Sequence, residues 1–253
     1  MSDTAAEARH AAPNPPGGAD VFAKISHHAL LAGLCQFIPI PFADDAVELR
    51  VRRAMVKKLL DNRGVAYPHR QVEALWEGPP SSLAAKAGGF AKSLLLKPLK
   101  KVLRTVLLFL TVRRAILTAA EVLLLGHTVD RLVADGRLGD AAPAAERTAN
   151  AIAAERAVRE VIASPERRGI VKLVRESSRL LKGIRGEAER PDRPDATAAV
   201  DDDAAVEQSL SADERRRLEA ASDELAGKLQ DERGRSVLAQ LDRQVDQRMR
   251  RIA

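Results

Sequence analysis

Every aromatic ring in the chain lies at or before Phe109: Phe22, Phe37, Phe42, Tyr67, Trp76, Phe90 and Phe109 itself. The sequence beyond is built from Ala, Arg, Glu and Leu, which are good helix formers but supply no large ring to fill a thick core. Such a stretch suits thin helices packed closely against one another rather than a sheet domain. With 253 residues the chain is long enough for one large domain or two small ones. We therefore expect an all-α protein: a helical bundle with a long apolar and basic helix, then a flexible linker and a C-terminal helical hairpin.

Proline, glycine and charge divide the chain into four parts. Residues 1–20 are rich in Ala, Pro and Gly and are expected to be a disordered tail. They contain no basic-then-apolar leader, which speaks against secretion. Residues 21–186 are expected to form a helical, membrane-associating domain. Its first helix is capped by Asp20 and stops at the prolines Pro39 and Pro41. A second helix begins at Asp44 or Asp45, buries Val47, Val51, Met55 and Leu59 at a spacing of four, and ends at Gly64. Pro68 opens a short third helix through Val72, Leu75 and Trp76, and 81–91 offers another, interrupted at Gly88 and Gly89. Pro98 suits the first turn of a long helix reaching about Ala134, with Gly126 as a weak point inside it. One helix is expected over 144–163 and another from Ser164 to about Gly183. Residues 187–208 carry Asp192, Asp195 and Asp201 to Asp203 among prolines and read as an acidic linker. Residues 209–253 then read as a charged hairpin, opened by a capping box at Ser211 and Glu214 and carrying Leu218, Leu225, Leu229, Leu238, Leu241, Val245 and Ile252 on its apolar side. Its stripe has the look of half a coiled coil awaiting a partner.

Residues 78–120 contain no Asp or Glu, yet they hold Lys86, Lys92, Lys97, Lys100, Lys101, Arg104, Arg113 and Arg114 around the most apolar run of the chain, TVLLFLTV at 105–112. Apolar residues draw such a segment out of water while its cations draw it to negative surfaces, and an anionic lipid face satisfies both. The same composition also describes a core helix with solvated basic edges. Residues 25–43 lack Lys, Arg, Asp and Glu and approach the length of a membrane span, but they include His27, His28 and two prolines. Over 102–127 the apolar residues favour insertion by roughly 4 to 8 kcal/mol, while Arg113, Arg114 and Glu121 oppose it by about 2.5 to 3.5 kcal/mol each. The balance is near zero or unfavourable, which makes interfacial contact the stronger reading. The expected lipid-contact residues are Lys97, Lys100, Lys101 and Arg104 at the headgroups, with Leu107, Leu108 and Phe109 below them.

Catalytic and metal chemistry finds little support. His27, His28, Asp44 and Asp45 are ligand types, but adjacent histidines on a helix diverge by about 100° and the aspartates serve a helix start. His10, His69 and His127 are scattered. Cys35, the sole cysteine, lies in an apolar helix as a small hydrophobe would, excludes an internal disulfide and suits a reducing compartment. No phosphate loop, GxGxxG or GxSxG pattern occurs. We expect no enzymatic activity and no cofactor. A net charge of +6 points to anionic partners. Arg50, Arg52, Arg53, Lys57 and Lys58 on the second helix are candidates for phosphate contacts, but their aliphatic neighbours make lipid the better fit and nucleic acid the weaker one.

The segment ALLAGLCQFIPIPFADD at 29–45, followed by RVRRAMVKKLL at 50–60, resembles the leading part of bacterial membrane-associated proteins of the DUF697 group, and more loosely of EcsC-like proteins. The resemblance covers residues 22–64 and rests on a small-residue apolar helix, an Ile-Pro-x-Pro turn, an acidic position and a basic amphipathic helix. It implies membrane association rather than catalysis and transfers no catalytic residue. The resulting expectation is a bacterial protein on the cytoplasmic side of the inner membrane, peripheral or partly inserted, binding anionic lipid and, through its C-terminal helices, an unidentified protein partner. The alternative is a cytoplasmic helical adaptor or oligomerisation protein with no membrane contact.

Overall fold

In the computed structural model the described residues are 18–36, 43–66, 68–77, 100–181, 207 and 210–252, with 43–46 and 100–109 described in their backbone alone. Everything in this set is helix, turn or connection, with no strand, so the all-α expectation holds. Of the tail expected over 1–20, residues 1–17 lie outside the described residues and Ala19 and Asp20 belong to a helix; the short helix over 81–91 and nearly all of the acidic linker also lie outside the described residues.

The elements follow from local chemistry. Helix α1 spans Ala19–Cys35. Its cap is Gly18, whose carbonyl accepts from the amides of Val21 and Phe22, so Asp20 sits inside the first turn and not at the cap. There its carboxylate complements the positive helix end. Helix α2, Ala43–Asn62, is closed by Gly64 at a φ of 65°, with the Val65 amide donating back to the Leu60 carbonyl. Only glycine takes that left-handed geometry at no steric cost. Two single-turn helices follow, α3 at His69–Val72 and α4 at Ala74–Glu77.

Helix α5 runs from Lys100 to Ala134, about 52 Å at the usual rise, and ends where Gly136 takes a φ of 75°. Gly126 is not a weak point. A Cβ there would come within 2.9 Å of both Ile25 and Met55, so glycine is what lets three helices meet. Helix α6 occupies Ala144–Ala163. The next segment is not one helix from Ser164 to Gly183. It is a 3-10 turn at Pro165–Arg167, helix α7 at Arg168–Ser177 and a second 3-10 turn at Ser178–Leu181. The Ser164 hydroxyl donates back to the Val161 carbonyl and leaves the following amides uncapped.

Helix α8, Ala212–Gln230, opens with the capping box: Ser211 Oγ accepts from the Glu214 amide at 3.2 Å, and Glu214 Oε2 accepts from the Ser211 amide at 2.8 Å. Helix α9, Glu232–Ile252, follows after the single residue Asp231, whose carboxylate accepts from the Gly234 amide at 2.6 Å. The hairpin therefore turns at Asp231, ahead of Gly234. Glycine is required there because a Cβ would strike the Lys228 carbonyl oxygen at 1.9 Å.

One apolar core serves all of these helices. Helix α5 is its axis, packed by α1, α2, α6 and α7. Small residues set the spacing: a Cβ on Gly33 of α1 would lie 2.9 Å from the Ala115 carbonyl oxygen of α5. Val47, Val51, Met55 and Leu59 are all buried, as their spacing predicts. The C-terminal hairpin is not set apart. Helix α8 packs along α1 and α7, helix α9 along α6 and α7, and Leu218, Leu225, Leu229, Leu238, Leu241 and Val245 are buried in the common core. The stripe expected to await a partner is covered by the chain's own helices, because α1 and α6 present apolar faces of matching length.

Candidate functional site

Helix α5 changes character along its length. From Ala115 onward its inward positions are core, among them Ala119, Ala120, Leu123, Leu124, Val129 and Leu132. Before that point Leu110 is 49% exposed, Thr111 and Val112 are half-buried, and Arg113 and Arg114 are exposed. The apolar character of the helix therefore outlasts the core that covers it. Of the expected lipid-contact residues, Lys100, Lys101, Arg104, Leu107, Leu108 and Phe109 fall on the first three turns of α5, upstream of this exposed stretch. Their side chains, and Lys97 altogether, lie outside the described set. Leu110, in the same apolar run, was missed as a surface residue because its composition alone does not separate it from the buried leucines that follow.

The charged residues of the buried part of α5 and its His127 are engaged by side chains from elsewhere in the chain. Glu121, an expected penalty for insertion, receives Arg52 Nη2 of α2 at 2.5 Å. Burial works against the charge of Arg52, but Glu121 and Glu48 outweigh it and hold the guanidinium pKa above its ordinary value. Beside them Glu155 of α6 is buried and paired with Arg159. Burial is the largest influence on its carboxyl and leaves it above the ordinary range despite Arg159 and Arg52. Asp130 takes both Nε and Nη2 of Arg63 at 3.0 and 2.6 Å in a site almost closed to water. At the far end, Arg131 reaches α9, donating to the two carboxylate oxygens of Asp246 at 3.0 and 2.7 Å, while His127 Nε2 lies 3.2 Å from Asp242 and stacks on Phe22. These contacts position helices; they surround no reacting group.

Other candidates resolve similarly. His27 meets Glu207 at 2.6 Å, and buried His28 donates through Nδ1 to the Lys24 carbonyl, 2.7 Å away, so the adjacent histidines serve different partners. Among the described residues no group of three or more His, Cys, Asp and Glu is placed to hold a metal. Cys35 is buried, with its thiol on the Leu31 carbonyl. Of the basic residues of α2, Arg52 is buried and Arg50 half-buried, while Arg53, Lys57 and Lys58 are exposed, Arg53 over the Trp76 ring at 5.8 Å and Lys58 beside His28. Among the described residues no helix is long and apolar enough to cross a membrane. No family model matches the chain, and no curated protein or solved structure matches it either.

Proposed function

We propose that this chain is a non-catalytic helical protein that docks peripherally on an anionic lipid surface through the N-terminal turns of α5. The observation that carries the reading is the exposure of Leu110 next to Arg113 and Arg114, on a helix whose upstream turns continue the same mix of cations and aliphatics. A helix end of this kind buries its aliphatics at the level of the acyl boundary while its basic groups meet headgroups. The burial of α5 beyond Ala115 supports surface contact over spanning, because that part of the helix is committed to the protein core. The resemblance of residues 22–64 to membrane-associated proteins points the same way. The exposed side of α8 is available to a protein partner.

The test is flotation of the whole chain with vesicles of phosphatidylcholine, with and without phosphatidylglycerol. Binding is expected only with the anionic lipid and is expected to be released by salt. Each basic group at such a surface contributes about 1 kcal/mol, so Lys100→Gln, Lys101→Gln and Arg104→Gln together are expected to weaken binding on the order of a hundredfold. Equal binding by the triple variant would overturn the assignment. The burial of most of α5 also favours a second reading, a helical adaptor with no membrane contact, and absence of the wild-type chain from both vesicle fractions would establish it in place of the first.

A further inference from the structure

Helix α9 sorts its charges by side. Two of its three carboxylates, Asp242 and Asp246, are drawn toward α5, where Arg131 and His127 engage them, and the third, Glu232, is exposed in the first turn. Its aliphatics Leu238, Leu241, Val245 and Met249 are buried. The opposite side presents Arg233, Ser236, Gln240, Arg243, Gln247 and Arg250, all exposed and spaced by three and four residues so that they form one stripe, with Arg251 beside its end. Its single carboxylate is Glu232 at the N-terminal end, its single small apolar residue is Ala239, and no ion pair among the described residues involves its arginines. The neighbouring helix repeats the pattern. Arg168, Lys172, Arg175 and Arg179 are exposed at spacings of four, three and four, while Glu176 is turned to Lys228 at 3.8 Å. The two helices are in contact, since a Cβ on Gly169 would lie 2.9 Å from Val237.

We propose that this outward surface of α9, extended by α7, is a contact face for the phosphate backbone of a nucleic-acid duplex. Arginine forks and Gln or Ser donors are the groups that engage phosphate oxygens. The rise of a helix places Arg233 and Arg243 about 15 Å apart and Arg243 and Arg250 about 10 Å apart. Those intervals let the arginines reach phosphates on both sides of a major groove about 12 Å wide. An interfacial lipid contact needs aliphatic residues to enter the acyl boundary, and this stripe has only the small Ala239. Single-strand binding relies on aromatic platforms, and the chain has no aromatic after Phe109. The contacts proposed are to phosphate oxygens, which carry no sequence information, so binding is expected to be independent of base sequence. The face is separate from the N-terminal turns of α5.

The experiment measures fluorescence anisotropy of a labelled mixed-sequence duplex with the full chain across a salt series. Four or more phosphate contacts give a slope of log affinity against log salt of about −4 or steeper for duplex DNA. Replacing Arg233, Arg243, Arg250 and Arg251 together with Gln is expected to lower affinity at least tenfold and to flatten the slope by about 3 to 4 units. A control with the same charge change, Lys57, Arg70, Arg156 and Arg215 to Gln, is expected to stay within a few-fold of wild type, as is the α5 triple variant. Unchanged melting temperatures establish that both charge variants fold. The proposal is overturned if the wild-type chain does not bind the duplex, if the control loses as much affinity as the α9 variant, or if polyglutamate displaces the duplex at equal charge concentration. It is also overturned if the α9 variant loses phosphatidylglycerol vesicles and keeps the duplex.

Discussion

Asp130→Ala is expected to be among the most damaging single substitutions in the chain, although Asp130 belongs to neither proposed contact surface. Arg63 closes the end of α2 against α5 by donating Nε and Nη2 to one Asp130 oxygen, and the two side chains are only 5% and 2% exposed. Taking each ion out of water costs several kcal/mol, and the mutual attraction offsets this only while both are present. Removing the carboxylate leaves the guanidinium in the same dry position without it, at a cost of about 3 to 5 kcal/mol. Against a total stability of roughly 5 to 15 kcal/mol that is a large share. In urea, with a slope of about 3 kcal/mol/M, the midpoint is expected to fall by roughly 1 to 1.7 M, followed by far-ultraviolet circular dichroism. The companion variant, Arg63→Met with Asp130→Leu, removes both ions and fills the space with aliphatic atoms. It is expected to lie close to wild type or above it. A midpoint shift below about 0.3 M for Asp130→Ala would refute the reasoning. So would a double variant as unstable as the two single losses added together, since the pair would then be contributing independently.

Gly126→Val tests the close approach of α1, α2 and α5. Its Cβ would meet Ile25 and Met55 at 2.9 Å, so overpacking is expected to cost about 1 to 3 kcal/mol, measured as a lower urea midpoint with the helical signal retained. Glu155→Gln tests the buried carboxyl of α6. Because its pKa is above the ordinary 4.5 when folded, the folded state binds its proton more tightly than the unfolded chain does. The resulting stabilisation is complete below the ordinary value and is lost as pH rises through the raised one. The Gln variant, permanently neutral, is expected to melt at or above wild type at neutral pH, with the difference vanishing under mildly acid conditions. A variant that melts lower at neutral pH would show that the pairing with Arg159 outweighs burial.

Periodicity and punctuation carried most of the helix boundaries. The four-residue spacing of Val47, Val51, Met55 and Leu59 has one helical solution, and the Ser211 and Glu214 pair has one local meaning at a helix start. Gly64 and Gly136 mark ends because the turn beyond each helix takes a positive φ. Gly126, expected as a weak point, departs from this rule for a physical reason. Gly126 and Gly33 permit contact between helices distant in sequence, and nothing within their own helix announces the neighbour. The hairpin was read as a separate unit on similar grounds. An acidic, proline-containing linker predicts freedom of the connection, but says nothing about where the helices beyond it settle. Their leucines match apolar faces on α1 and α6, and a shared core follows.

The surfaces posed a harder problem, because arginine looks the same in sequence whether it is paired, stacked or free to meet a ligand. Arg52 and Arg53 are adjacent, yet one is buried on Glu121 and the other is exposed over Trp76. In a bundle this rich in charge, the informative quantity is therefore the sign that remains on a face after the helices have taken their partners. On α2 only Arg52 is taken into the core, and Arg53, Lys57 and Lys58 stay exposed. On α9 the aspartates at 242 and 246 appear in sequence to neutralise the neighbouring arginines. Folding instead turns those carboxylates toward Arg131 and His127, and from Arg233 to Arg250 the outward stripe is left positive, with Glu232 alone at its start. The same ion pairs that dock the hairpin onto α5 thus create the uncompensated face. Weakening them by Arg131→Gln would free the aspartates to swing outward, so it is expected to reduce duplex affinity without altering any residue on that face.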